Sequence, residues 1–216
     1  EEIPILDILW VVDDSGSMGM FQSHLANNIG LFIQAFMAAG ADYHMAVITT
    51  THSMIGNIID SYTPNPETAI ANEVLVGIGG SGMEYGLQKS KDALSNAASA
   101  GPGSAFFRSD ATLIVIYVSD EPDHSGPWGN FISFFDGIKP VGQFIPYAII
   151  GDPPIPPSSV SGCEIPPRTR ASYGAGYWDI VDYYGGDWYS ICASDWGVQL
   201  QNMANQMAGR SAYELD

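Results

Sequence analysis

Residues 5–18 read Ile5-Leu6-Asp7-Ile8-Leu9-Trp10-Val11-Val12-Asp13-Asp14-Ser15-Gly16-Ser17-Met18, and the fold class follows from them. Residues 5–12 are a nearly unbroken apolar run, the pattern of a parallel strand covered by helices on both faces. Residues 13–19 form a polar, glycine-containing turn. Beyond it Leu25, Ile29, Phe32, Ile33, Phe36 and Met37 recur at helical spacing up to a stop at Gly40.

Working outward, the spacing predicts a second strand over 43–51, with 54–60 as its continuation or hairpin partner. Residues 63–67, with two prolines, read as loop. A helix is predicted over 84–100, ended by Gly101-Pro102-Gly103, and a β-branched central strand over 111–119. A short helix over 128–139 and a strand over 144–150 follow. At Gly151 the texture changes: Asp152-Pro153-Pro154-Ile155-Pro156-Pro157 and Pro166-Pro167 exclude regular structure and mark an insertion over about 151–187. Residues 177–182 suit one or two helical turns, 188–192 a short last strand, and 196–208 a closing helix capped by Ser194 or Asp195. Alternating strands and helices predict an α/β fold, a doubly wound and mostly parallel sheet, in one domain over 1–216. Ligands of such sheets bind beyond the carboxyl ends of the strands.

Composition narrows the partners. Seven Lys and Arg against 24 Asp and Glu leave a net charge of −17. Such a surface repels nucleic acid and anionic membranes and concentrates cations. No apolar run approaches the roughly 18 residues of a membrane-spanning helix, so no direct membrane insertion is expected. The chain enters its first strand directly after Glu1-Glu2, as a cytosolic protein or a trimmed mature domain would. The two cysteines, Cys163 and Cys192, lack zinc or redox spacing. In an exported protein they would pair; in the cytosol they would be ordinary thiols.

The chemistry gathers just after the strands. In Asp13-Asp14-Ser15-Gly16-Ser17, a carboxylate and two hydroxyls at positions i, i+2 and i+4 of a tight turn can converge on one hard cation. Ser119-Asp120-Glu121-Pro122-Asp123 follows the central strand and brings a second acidic loop to the same sheet edge. Two such loops repel each other unless something positive lies between them. The alternative for residues 13–17 is a helix N-cap, which needs only one of these residues.

The stretch Val11-Val12-Asp13-Asp14-Ser15-Gly16-Ser17-Met18 resembles the Asp-x-Ser-x-Ser motif that opens von Willebrand factor type A domains, as in integrin inserted domains. Gly79-Gly80-Ser81 stands where that family has a metal-binding threonine, and Val118-Ser119-Asp120 where it has its last metal-linked aspartate. Gly80-Ser81-Gly82-Met83-Glu84, Ser119-Asp120-Glu121-Pro122-Asp123 and Ser190-Ile191-Cys192-Ala193-Ser194-Asp195-Trp196 look like the type A domains of bacterial surface proteins and lipoproteins. The resemblance implies an exported bacterial protein, extracellular or on the cell surface, with Cys163 and Cys192 bridged.

It further implies a divalent cation, Mg²⁺ or else Mn²⁺ or Ca²⁺. Ser15 and Ser17 would bind it through their hydroxyls, and Asp13 and Asp120 directly or through water. Ser81 would supply the second loop's ligand, with Glu84 as the alternative. One position would face solvent, to be completed by a carboxylate of a protein partner or by a glycan. Thr50, His52, Gly82, Glu121, Asp123 and His124 would form the rim around that ligand. The expectation is adhesion or recognition and no catalysis. A permanently occupied assembly site, or a metal-assisted hydrolase, would be the other classes. Gly79-Gly80-Ser81-Gly82-Met83 misses the Gly-x-Ser-x-Gly nucleophile elbow at its last position. The remaining histidines lack zinc spacing, and His24 is expected to lie exposed on the first helix. Trp178, Tyr183, Tyr184, Trp188 and Tyr189 are expected mainly to pack the insertion onto the core.

Overall fold

The computed structural model describes residues 3–99, 101, 103–154, 161–167 and 169–213, with backbone alone for 210–213. Strand β1 (Ile5–Val12) is apolar but for Asp7, because both its faces are covered. Leu6, Ile8, Trp10 and Val12 enter one core with Phe21, Leu25, Ile29 and Phe32 of helix α1 (Gly19–Ala39). Leu9 and Val11 enter a second core on the opposite face, with Leu87 and Leu94 of helix α3 (Gly86–Ala98). A strand between two cores has no wet face, so the period-2 alternation of half-buried strands is absent.

The other strands are β2 (Asp42–Thr49), β3 (Ile59–Asp60), β4 (Thr112–Ser119), β5 (Phe144–Ile150) and β8 (Asp187–Ser190). They form one six-stranded sheet in the order β3-β2-β1-β4-β5-β8. Every pairing is parallel except that of β2 with β3, so the fold is the doubly wound α/β sheet the sequence predicts. Chain order reverses beside β1, whose carboxyl end is flanked by those of β2 and β4. That crevice is where such a sheet binds ligands.

Several boundaries differ from the sequence reading. Residues 54–58 are irregular, and only Ile59–Asp60 pairs with β2. The predicted loop over 63–67 runs into helix α2 (Pro66–Glu73): Pro66 sits at the helix start, where its missing N–H costs nothing. Helix α3 begins at Gly86 rather than residue 84, because Glu84 forms a parallel bridge with Asp123. Ala100 and Pro102, within the predicted helix end and its stop, lie outside the described residues. Residues 128–139 form a 3₁₀ turn (Trp128–Phe131) and helix α4 (Ile132–Ile138).

The insertion has regular parts. Strands β6 (Cys163–Ile165) and β7 (Thr169–Ala171) form an antiparallel hairpin around Pro166-Pro167, and helix α5 (Tyr177–Tyr183) follows. Residues 155–157 of the proline run lie outside the described residues. Closing helix α6 (Trp196–Tyr213) is capped by Asp195, whose Oδ1 accepts the Val198 N–H at 3.0 Å. His24 departs from expectation: it is half-buried, and its ring packs edge-on against Trp196 at 6.0 Å. The long α1 carries it under α6 rather than into solvent. Of the late aromatics, Tyr183 is exposed and Trp178, Tyr184, Trp188 and Tyr189 are half-buried.

Candidate metal centre

The turn after β1 does not cap α1: its N-cap is Met18, with no side-chain cap bond. Its polar groups turn instead onto one spot. Asp13 is wholly buried; its Oδ1 accepts the Ser15 N–H at 2.7 Å and its Oδ2 the Ser119 hydroxyl at 2.6 Å. Both carboxylate oxygens are thereby used to fix the turn. The Ser15 and Ser17 hydroxyl oxygens are 3.2 Å apart, and Ser17 donates to Asp120 Oδ1 at 3.1 Å. Behind them, Gln22 Nε2 donates to the carbonyls of Asp13 and Gly77. Ser15, Ser17 and Asp120 thus meet although two separate strands deliver them.

The loop before α3 supplies a third carboxylate. Glu84 is wholly buried, and among the described residues neither of its carboxyl oxygens has a hydrogen-bond partner. Burial first, then repulsion from Asp13, Glu121 and Asp120, pushes this carboxyl up to about 8. Asp120 is pushed up to about 6, again chiefly by burial, against the Ser17 hydrogen bond. Burial also raises Asp13, opposed by Ser119 and Ser15. Glu84 is positioned by its backbone: its carbonyl accepts the His124 N–H at 2.7 Å. Asp123 steadies the same loop. Its Oδ1 accepts the Leu87 N–H in the first turn of α3 at 3.1 Å and the Ser125 hydroxyl at 2.9 Å.

Ser81 lies elsewhere. It is exposed, its hydroxyl accepts the Met83 N–H at 3.0 Å, and its own N–H donates to Thr51. Of the two candidates in this loop, Glu84 and not Ser81 turns inward, where the charges of Asp13 and Asp120 act on it. Gly82 is exposed at the loop tip, His52 and His124 are exposed, and Glu121 and Asp123 are half-buried. Thr50 is buried beneath Asp14 rather than at the rim. Asp14 Oδ1 accepts the hydroxyls of Thr51 at 2.8 Å and Thr50 at 3.3 Å.

Sequence reasoning missed Thr51, Ser119 and Asp14 as fixed parts of this edge. The signal was present in the hydroxyl run Thr49-Thr50-Thr51, which starts at the last position of β2, and in Ser119 at the last position of β4. Among the described residues, no three His, Cys, Asp or Glu side chains gather into a group that could hold a metal ion. The convergent donors are two hydroxyls and Asp120, hard oxygens of the kind that suit Mg²⁺, Mn²⁺ or Ca²⁺.

The insertion reaches this edge as well. The Ser172 N–H donates to the Asp120 carbonyl at 2.8 Å, and the Asp123 N–H to the Ala175 carbonyl at 2.9 Å. Cys163 of β6 is disulfide-bonded to Cys192, just before α6, with Cα atoms 6.0 Å apart. Among the described residues, no helix is long and apolar enough to cross a membrane.

No protein-family profile matches the chain, and no curated protein does. Solved structures do. A von Willebrand factor type A protein from Catenulispora acidiphila superposes with a TM-score of 0.50 at 14% identity, over 97% of this chain and 43% of that one. Proximal thread matrix protein 1 from the mussel byssus gives 0.55 at 11% identity, over 97% and 48%. The pilus adhesin SpaC from Lactobacillus rhamnosus GG, in its open conformation, gives 0.52 at 13% identity, over 98% and 30%. The chain spans less than half the length of each of these three. At such identities the likeness speaks for architecture: this mostly parallel sheet with helices on both faces has the von Willebrand factor type A fold.

Proposed function

We propose that this chain is a recognition domain whose contact with a partner depends on a divalent cation held at the carboxyl ends of β1 and β4. The observation that carries the reading is Glu84. A wholly buried carboxyl with no hydrogen-bond partner among the described residues, set among Asp13, Asp120 and Glu121, is costly to ionise, and a cation beside it would remove that cost. Ser15, Ser17 and Asp120 would hold the ion, with Glu84 as the third loop's ligand. Asp13, both of whose oxygens are engaged, would act through water. When bound, Mg²⁺, Mn²⁺ or Ca²⁺ would supply one open coordination position for an oxygen of a partner.

The chain's own residues prepare that position. Ser119 and the Ser15 N–H fix Asp13, Gln22 fixes the backbone beneath it, and the Ser172 N–H fixes the Asp120 loop. In this reading the domain binds its partner and does not transform it. The disulfide supports an exported, extracellular location, and the adhesin among the similar structures suits a cell-surface role.

Metal content after purification, with thermal unfolding in EDTA and in added Mg²⁺, Mn²⁺ or Ca²⁺, tests the reading. Each effective cation should raise the unfolding temperature of the wild type, and Asp120→Asn with Ser17→Ala should abolish the shift. A wild-type curve indifferent to all three ions overturns it.

A further inference from the structure

We infer that the outward face of helix α5, with the 3₁₀ turn beside it, is a docking surface for an arginine-bearing segment of a partner protein. The inference does not rest on the cation reading, and none of Ser15, Ser17, Glu84 and Asp120 contributes to it. Helix α5 turns Tyr177, Ile180 and Val181 into the core. The helical period therefore sends Trp178, Asp179, Asp182 and Tyr183 outward. Two carboxylates thus sit between two aromatic pairs. On one margin the Trp178 ring meets Tyr173 edge-on at 6.3 Å. On the other, Tyr183, which is 54% exposed, meets Trp128 of the 3₁₀ turn at 5.7 Å. Burial first, then the charges of Asp179 and Asp182, push the Tyr173 phenol up to about 12, so both carboxylates act on that ring. Asp136 joins on the Tyr183 side. It accepts the hydroxyl of Tyr184 at 2.9 Å, and the Tyr184 ring stands 5.0 Å from that of Tyr183.

The chain supplies this face with no counter-charge of its own. Residues 120–138 and 172–190 contain no lysine or arginine. Among the described residues, none pairs with Asp136, Asp179 or Asp182, and none stands over the rings of Tyr173, Trp178, Tyr183 or Trp128. The Gly176 N–H donates to Asp179 Oδ2 at 2.8 Å, which orients that carboxylate in advance. A guanidinium group answers both features at once: its plane lies against an aromatic ring while its N–H groups pair with a carboxylate. The same stretch of chain already takes a cation in this way, for Lys91 Nζ stands 5.8 Å over both Phe131 and Phe134. A neutral saccharide would stack on the rings but leave the carboxylates without a counter-charge, and an acidic partner would be repelled. The net charge of −17 draws a basic segment toward the molecule, and the rings decide where it settles.

A fluorescent hexa-arginine peptide tests the surface, its binding followed by anisotropy in buffer stripped of divalent ions. The wild type should bind it, more weakly as salt rises. Asp182→Asn and Tyr183→Leu, each checked for folding by circular dichroism, should both weaken binding by about threefold or more. Asp110→Asn makes the same charge change at an exposed residue just before β4, and should alter binding by less than about twofold. In isotope-labelled wild type, the indole N–H resonances of Trp178 and Trp128 should move on titration, and that of the buried Trp10 should not. If Asp110→Asn weakens binding as much as Asp182→Asn, the attraction is only that of the overall charge and the inference falls. It falls equally if the peptide does not bind, if Tyr183→Leu binds like the wild type, or if maltohexaose moves the two indole resonances and hexa-arginine does not. None of these results bears on the cation reading, which stands or falls on the response to divalent ions.

Discussion

The Asp14 carboxylate lies so close to the α-carbon of Gly80 that a methyl group built there falls 2.2 Å from Asp14 Oδ1. The Gly80 N–H also donates to the Asp14 carbonyl at 2.7 Å. Two loops from different strands are thus locked at one point where no side chain fits. Gly80→Ala should push the carboxylate off Thr50 and Thr51 and destabilise the domain by about 1–3 kcal/mol. Gly82→Ala, at a position with open space around it, should be close to neutral. Urea unfolding of the two variants checks the contrast.

At the far end of the sheet Asp7 is wholly buried in β1. The Arg108 backbone N–H and Nε donate to its two oxygens at 2.6 and 2.8 Å, and the His44 ring stands 3.9 Å away. Burial holds this carboxyl above its ordinary range, with Arg108 and Lys139 opposing. A raised carboxyl binds its proton more tightly in the folded chain than in the unfolded one. Its contribution is therefore complete at acid pH and declines as pH rises through the raised value. Arg108→Met strips Asp7 of its counter-charge and should cost about 3–5 kcal/mol near neutrality. The gap to the wild type should narrow toward pH 4, and Asp7→Asn should recover part of the loss. Denaturation midpoints across that range decide it.

Lys139 closes the same end. Its ammonium donates to the carbonyls of Arg108 and Ala111 and stands 4.4 Å over the Phe107 ring. Lys139→Met should keep the packing of the stem yet orphan both acceptors, costing about 1–3 kcal/mol. Faster amide exchange over residues 104–111 would localise the effect.

The Cys163–Cys192 bridge closes a loop across a separation of 29 residues. Replacing both cysteines by serine, or reducing them, should cost about 3–4 kcal/mol on the chain-entropy model. Thermal unfolding with and without a reductant measures it, and the double variant should show no further response to the reductant.

How far the sequence foretold this edge depended on locality. The buried parallel strands were legible because apolar runs such as residues 5–12 and 112–118 have one economical placement, between two layers of helices. Asp13, Ser15 and Ser17 were legible because one turn carries all three. The third loop was not. Ser81 and Glu84 lie three residues apart on a glycine-rich segment, and local pattern cannot tell which one turns inward. That choice comes from the backbone bridge between Glu84 and Asp123, a pairing between distant segments. Helix α2 was hidden by Pro64 and Pro66, which read as loop although Pro66 opens the helix. The β6–β7 hairpin escaped for the same reason, its prolines marking a turn rather than an absence of structure.

The hairpin gives the molecule a load path. Traction on α6 passes at Cys192 into two branches: the neighbouring strand β8, held by hydrogen bonds in the sheet, and a sulfur–sulfur link into β6. The second branch leads through β7 to Ser172 and the Asp120 carbonyl. A tug on α6 therefore reaches the loop of Asp120 through a disulfide and one backbone hydrogen bond, and the sulfur link will outlast any parting of helix from sheet.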